Sequence, residues 1–221
     1  MNRLMLGILV VSLALVVAAP VVHSAPKPTP VPINWELEIR TQPLESIELQ
    51  LPGYATPQLF WFFRYTVVND TGQDVIFVPD FVLYTDTGKM LRAGQRVPTA
   101  VFREIKKIYN EPLLKDMTSM TGKLLQGEDN AREGVAIWRD FDPKAGEIDI
   151  FIGGLSGESA KVQLPKPVEV VELDLEGNEV TVTKNSAILT KTLDMKYSVP
   201  GEAAARKLTR PKLLSTTWVM R

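Results

Sequence analysis

The sequence contains no cysteine and one histidine among its 221 residues. Without cysteine the chain has no disulfide framework, no thiolate metal site and no cysteine nucleophile. The histidine, His23, lies in the N-terminal apolar segment. Beyond that segment the chain therefore lacks the imidazole that a Ser–His–Asp triad, a histidine-ligated zinc or a histidine-ligated haem requires.

The sequence also lacks a charge excess of either sign. Lys plus Arg number 25 and Asp plus Glu number 26, for a formal net charge of −1. Nucleic-acid-binding proteins are usually basic, so we do not expect a nucleic-acid partner. Hydrophobic residues make up 45% of the chain and charged residues 23%, which is typical of a globular protein and too apolar for a disordered one.

The first 24 residues read as a secretory signal peptide. Arg3 precedes an apolar run from Leu4 to Ala19, and the small residues Val22 and Ser24 suit positions −3 and −1 of a cleavage site before Ala25. We therefore expect an exported protein, periplasmic or extracellular. An uncleaved membrane anchor is the alternative, because the stretch from Leu4 to Val22 reaches the lower end of membrane-spanning length.

Residues 25–33 form a proline-rich segment in which every second position is proline from Pro26 to Pro32. This spacing favours an extended polyproline II conformation, and we expect a stiff, solvated linker. A ligand for a proline-recognising domain is the alternative. The remaining residues, 34–221, are predicted to form one β-domain, with two sub-domains divided by a helical segment as the alternative.

Strand patterns dominate this domain. The strongest is the run Leu59–Asn69, in which Trp61, Phe63, Tyr65 and Val67 share one face and Arg64 and Thr66 the other. Turn residues at Asn69–Gly72 and Asp86–Gly88 predict hairpins, with 74–84 as the returning strand. We expect about ten strands at roughly 8–12-residue spacing, which favours a sandwich or a barrel.

One segment has helical rather than strand spacing. Between Thr99 and about Asn110 the apolar residues recur every three to four positions, with Arg103, Lys106 and Lys107 on the opposite, solvated face. We predict an amphipathic helical insertion over about 98–126, with a second helical turn at Leu113, Leu114 and Met117. Residues 118–133 are predicted to be a loop, and 202–207 a short helix.

Four acidic residues are candidates for a calcium site: Asp140, Asp142, Glu147 and Asp149. Carboxylate oxygens suit Ca²⁺, and the turn at 142–146 is expected to gather these residues around one hairpin. Their spacing does not match an EF-hand loop, so a solvated acidic turn is the alternative. We predict no other cofactor.

Carboxylate chemistry is the remaining route to catalysis, since a glycosidase needs two acidic residues flanking a cleft. No spacing in the sequence selects such a pair, so we assign no catalytic residue. Trp35, Trp61, Trp138 and Trp218 could stack on sugars but at strand positions are expected in the core. Asn69–Thr71 is a glycosylation sequon.

Several short motifs resemble those of a known group of proteins. They are Tyr65-Thr-Val-Val-Asn-Asp-Thr-Gly72, Gly134-Val-Ala-Ile-Trp138, Asp140-Phe-Asp-Pro143, Phe151-Ile-Gly-Gly-Leu-Ser156 and Trp218-Val-Met-Arg221. Together they are similar to exported immunoglobulin-like proteins of planctomycete-type bacteria, whose function is unassigned. The resemblance implies an all-β, immunoglobulin-like β-sandwich, here with one amphipathic helical insertion, and it implies no catalytic residue.

We therefore expect a non-catalytic binding, structural or assembly module of the cell envelope, with an envelope protein or glycan as its partner. Loops or a sheet edge would form the binding surface. The alternative is a carboxylate-dependent hydrolase acting on an envelope polysaccharide.

Overall fold

The computed structural model describes residues 26–174, 176–199 and 210–221. The predicted signal peptide (1–24) and the predicted short helix at 202–207 lie outside the described residues. Within these ranges no helix is both long enough and apolar enough to span a bilayer.

The elements follow in chain order. The strands are β1 (Glu38–Thr41), β2 (Glu45–Leu49), β3 (Gln58–Val68), β4 (Val75–Phe77), β5 (Asp80–Thr85), β6 (Met90–Arg92), β7 (Gly122–Leu124), β8 (Arg132–Arg139), β9 (Glu147–Gly153), β10 (Ser159–Leu173), β11 (Glu179–Ser198) and β12 (Lys212–Met220). The helices are α1 (Thr99–Ile108), α2 (Met117–Met120) and a 3₁₀ turn (Glu128–Asn130).

The strands form two main antiparallel sheets. In the four-stranded sheet, β3 pairs with β8 along one edge and with β1 and β2 along the other. The six-stranded sheet has the order β10-β11-β9-β5-β6, with β12 also paired to β11. Strands β4 and β7 form a separate two-stranded sheet. The predicted class, an all-β sandwich with a helical insertion, is confirmed.

The core lies between the two main sheets. From β3, the predicted face of Trp61, Phe63, Tyr65 and Val67 is buried, and Trp138 joins it from β8. The six-stranded sheet contributes paired rows of apolar residues: Phe81, Ile152 and Leu193, then Leu83, Ile150 and Met195. Ring contacts join the sheets, as between Phe63 and Phe81, whose centroids are 5.7 Å apart.

Gly134 is required at one position in this core. It lies opposite Tyr65 in the β3–β8 register. A Cβ atom at Gly134 would lie 2.6 Å from the Tyr65 ring and 2.9 Å from the Met120 side chain. Glycine here makes room for the tyrosine ring, because a closely packed interior cannot absorb such an overlap.

The helical insertion forms a third layer on the outer face of the four-stranded sheet. Val101 and Ile105 of α1 are fully buried and pack against Phe60, Phe62 and Ile137 of the sheet. The predicted helix from Thr99 is confirmed, and it ends where Asn110 adopts a left-handed conformation with φ 51°. The outward residue Ile108 is 58% exposed.

Residues 118–133 are not only a loop, as predicted. They contain the end of α2, strand β7 and the 3₁₀ turn. Of the predicted helical turn at Leu113, Leu114 and Met117, only Met117 is helical: it begins α2, whose N-cap residue is Asp116. Strand β7 is only three residues long, too short for its alternation to stand out in the sequence.

Two predicted hairpins are crossovers between sheets. After the turn at Asn69 the chain leaves β3 for the two-stranded sheet and then for β5 in the six-stranded sheet. Likewise β8 and β9, which flank the turn at 142–146, belong to different sheets. The predicted turn at 86–88 does close a hairpin, β5–β6, and a turn at 176–178 closes the β10–β11 hairpin.

Asn69 is fully buried beside the first crossover. Its side-chain amide nitrogen donates hydrogen bonds to the carbonyl oxygens of Gln73 and Leu124, each at 2.9 Å. Its side-chain oxygen accepts from the hydroxyl of Thr71 at 2.8 Å. The atom that the sequon offers for glycosylation is therefore occupied in the folded protein.

We expect Ile105→Ala to lower the free energy of unfolding by about 3 kcal/mol, because it leaves a cavity between α1 and the four-stranded sheet. Ile108→Ala, on the exposed face of the same helix, should change it by less than about 0.5 kcal/mol. Urea unfolding followed by tryptophan fluorescence measures both. Equal losses for the two variants would show that α1 is not packed as described.

Candidate functional site

The structure separates the four predicted calcium ligands. Asp140 accepts hydrogen bonds from the Trp61 indole nitrogen at 2.8 Å and from the Phe141 backbone at 3.1 Å. Asp142 accepts from the Lys144 backbone at 2.9 Å. Glu147 pairs with Lys196 at 2.8 Å, and Asp149 lies opposite Lys196 in the β9–β11 register. These acids serve turns and ion pairs.

No group of three or more acidic or histidine side chains in the described ranges is arranged to hold a metal ion. The sequence argument placed all four acids on one hairpin. In the structure Glu147 and Asp149 share the outer face of β9, whereas Asp140 follows β8, a strand of the other sheet.

Two other carboxylates do come together, Glu36 and Glu158, around the buried ammonium group of Lys191. Lys191 is 2% exposed and Glu158 is 5% exposed. The Lys191 Nζ lies 2.8 Å from Glu36 Oε2, 3.3 Å from Glu158 Oε2 and 3.0 Å from the Thr29 carbonyl oxygen. It also lies 5.1 Å from the centre of the Trp218 ring. The two carboxylates thus neutralise a buried cation.

The proline-rich segment takes part in this cluster through Thr29. Its backbone N–H donates to Glu158 Oε1 at 2.9 Å and its hydroxyl to Glu158 Oε2 at 2.6 Å. These bonds from Thr29, followed by the charge of Lys191, hold the pKa of Glu158 below its usual value. The segment expected to be a solvated linker is therefore attached to the domain at Thr29.

A second pair of carboxylates, Asp149 and Asp194, lies on the outer face of the six-stranded sheet. Burial raises the pKa of Asp194 above its usual value, and the neighbouring charge of Asp149 adds to this effect. Lys196 and Arg221 act in the opposite direction. The Asp194 Oδ1 atom is buried without a hydrogen-bond partner among the described residues.

The tryptophans belong to the interior, as expected. Trp61 and Trp138 are fully buried. Trp35 and Trp218 are partly buried and pack against the same core. None of them lines the cleft described next.

An open cleft of about 600 Å³ lies where the chain passes from β6, at the edge of the six-stranded sheet, to α1 on the four-stranded sheet. This volume is within the usual range of small-ligand sites. Eleven residues line it: Pro57, Gln58, Leu59, Phe60, Met90, Leu91, Arg92, Gln95, Arg96, Arg139 and Asp140.

The cleft is positively charged, because three arginines and one aspartate line it. Arg92 lies 3.4 Å from Asp80. Arg96 and Arg139 form no ion pair with any described residue. The single acid, Asp140, is held by Trp61 and by the Phe141 backbone. Two guanidinium groups are thus available for an anion.

Local structure positions these arginines. Arg139 ends β8 and is paired with Phe60 of β3, which places it on the outer face of the four-stranded sheet. Arg96 has a left-handed backbone, with φ 56°, in the tight connection between β6 and α1. Such a conformation is uncommon for a residue with a side chain and is often found at functional positions.

Sequence reasoning missed this cleft. Its arginines belong to segments that are 4 and 43 positions apart in the chain, and no motif links them. The surplus of basic side chains at one end of the sandwich depends on the pairing of β3 with β8 and on the crossover after β6. Neither can be read from local patterns.

Comparisons with known proteins add little. No protein-family model matches the chain, and no curated protein matches it. A similar solved structure is that of MPT63, a secreted protein of Mycobacterium tuberculosis. The two chains are 18% identical over 54% of this chain and 78% of the other, with a TM-score of 0.32.

We expect Lys191→Met to lower the free energy of unfolding by about 3 kcal/mol, because it leaves the buried carboxylate of Glu158 and the partly buried carboxylate of Glu36 without a counter-charge. Lys123→Met is the control, since it removes only a more exposed ion pair, with Asp74, and should change the stability far less. Chemical denaturation near neutral pH measures both. An unchanged stability for Lys191→Met would contradict the described cluster.

We expect Asp194→Asn to stabilise the protein near neutral pH. Because its pKa is raised in the folded state, Asp194 binds its proton more tightly there, and its ionisation costs stability as the pH rises above the usual pKa of aspartate. The gain should vanish at pH values below that usual pKa. Unfolding curves across this pH range provide the test, with exposed Asp70→Asn as the control.

Proposed function

We propose that the protein is an exported, non-catalytic binding module of the cell envelope, and that its arginine-lined cleft binds an anionic glycan. The observation that carries the proposal is that Arg92, Arg96 and Arg139 line one cleft. The acidic residue described in its lining, Asp140, already accepts a hydrogen bond from the Trp61 indole. Export is supported by the signal-like N-terminus and by the resemblance to exported immunoglobulin-like proteins.

The lining of the cleft suits an acidic sugar. Planar guanidinium groups bind carboxylate, sulfate or phosphate groups through paired hydrogen bonds. Gln58 and Gln95 add amide donors and acceptors that suit sugar hydroxyls. Pro57 and the 64% exposed Met90 offer apolar surface for the faces of sugar rings. An open cleft also admits a polymer more readily than a closed cavity does.

The alternative function is a carboxylate-dependent hydrolase acting on an envelope polysaccharide. That reaction needs two carboxyl groups on opposite sides of the bound sugar. Among the described lining residues the cleft holds one, Asp140. The carboxylate pairs Glu36–Glu158 and Asp149–Asp194 lie elsewhere, so the structure does not favour this alternative.

We expect Arg139→Gln and Arg96→Asn each to weaken binding of an acidic polysaccharide about tenfold, since each removes a charged hydrogen-bond donor. Asparagine is chosen at position 96 because it tolerates the left-handed backbone there. Arg103→Gln, on the exposed face of α1, removes the same charge away from the cleft and should leave the affinity unchanged.

Isothermal titration with polygalacturonate, dextran sulfate and neutral dextran measures this affinity and distinguishes carboxylate from sulfate. Binding of neutral dextran as tightly as the acidic polymers, or equal losses for the Arg103 control, would contradict the proposal. Release of new reducing ends from polygalacturonate would instead support the hydrolase.

A further inference from the structure

Strands β10 and β11 extend beyond the sandwich as a two-stranded ribbon. Only residues 193–198 of β11 pair with β9, whereas residues 179–190 pair with β10 alone. Two-stranded hairpins are only marginally stable in water. The ribbon nevertheless exposes several apolar side chains, between 37% and 70% of each: Val168, Val171, Leu173, Val180, Val182 and Ile188.

One edge of this ribbon is open to another strand. The backbone N–H groups of consecutive β11 residues point to opposite edges of the strand. The Lys191 N–H donates to the carbonyl oxygen of Glu158, just before β10, and the Thr190 N–H donates to the carbonyl oxygen of Arg221, just after β12. Strand β12 pairs with β11 only from Lys191 to Ser198. From Glu179 to Leu189, no strand of the described ranges pairs with that same edge of β11. The described chain therefore leaves this edge free.

The other edge of the ribbon is less suited to pairing. Strand β10 is interrupted between Gln163 and Val168 by an irregularity that contains Pro165 and Pro167. Proline has no N–H to donate, and prolines and bulges are devices that protect edge strands. The corresponding stretch of β11 contains no proline.

Charge is segregated along the ribbon. Its tip, residues 169–183, holds acidic residues and no lysine or arginine: Glu169, Glu172, Asp174, Glu176 and Glu179. Its stem, residues 159–168 and 184–190, holds Lys161, Lys166 and Lys184 and no acidic residue. Two ribbons laid side by side in opposite directions would place each acidic tip against a basic stem.

We infer that the occupant of the free β11 edge is a second copy of this chain, paired antiparallel across a two-fold axis. The charge pattern selects this arrangement, because a parallel pairing would bring two acidic tips together. A two-fold pairing also covers both free β11 edges at once and leaves outside only the β10 edges, which their prolines protect. The assembly is a dimer joined by a four-stranded ribbon.

The side chains are compatible with a pairing centred on Val182. Val170 and Val182 are directly opposite in the β10–β11 register and share a face. With the two Val182 residues opposite each other, the face presents a row of four valines across four strands. Val180 then lies opposite the second copy's Lys184, and Glu179 opposite its Asn185, so no like charges meet.

Charge reversal tests the inference. An acid-stem variant carries Lys161→Glu, Lys166→Glu and Lys184→Glu, and a basic-tip variant carries Glu169→Lys, Glu172→Lys and Glu179→Lys. We expect the exported wild-type protein to have twice the chain mass in analytical ultracentrifugation, and each variant alone to be monomeric. The two variants mixed should form a heterodimer, because their ribbons are then oppositely charged.

This rescue on mixing shows that neither variant has simply failed to fold. A control with Lys89→Glu, Arg103→Glu and Lys107→Glu reverses the same number of exposed charges away from the ribbon and should remain dimeric. A monomeric wild-type protein would overturn the inference and leave the edge to a strand of another protein. Variants that stay dimeric alone, or stay monomeric when mixed, would overturn it as well.

Discussion

The fold depends on one constraint: strand β3 is apolar on both faces. Trp61, Phe63 and Tyr65 require an apolar partner on one side, and Phe60 and Phe62 require another on the opposite side. The six-stranded sheet meets the first requirement and α1 meets the second. A sandwich of two sheets alone would leave the face of β3 that carries Phe60 and Phe62 exposed to water. The fold therefore requires the helical insertion as a third layer.

The sequence predicted most elements whose signal is local. The alternation in β3, the helix from Thr99 and the turn at 86–88 are all encoded within a few residues. The sheet that the chain joins after a turn is not determined by residues near that turn. The chain leaves Asn69 and the 142–146 segment for a different sheet each time, because buried rows such as Phe81–Ile152–Leu193 are completed only there.

The same distinction explains the candidate sites. Four acids close in sequence were expected to act together, but the crossover between β8 and β9 leaves Asp140 beside one sheet and Glu147 and Asp149 on the other. Three arginines from distant segments meet at a cleft, since β3–β8 pairing and the β6–α1 connection converge there. The cluster of Lys191 with Glu36 and Glu158 could not be predicted from the sequence either, because these residues lie too far apart along the chain to form a motif. Such sites are properties of the packing.

The burial of Asn69 limits when its side chain could be modified. An enzyme that attaches a sugar to this side chain needs its amide nitrogen free, yet the folded protein uses that nitrogen to bridge Gln73 and Leu124. A sugar attached first would leave both carbonyl oxygens unbonded and would not fit the closed interior. A sugar on Asn69 and the closed fold around the first crossover are thus mutually exclusive.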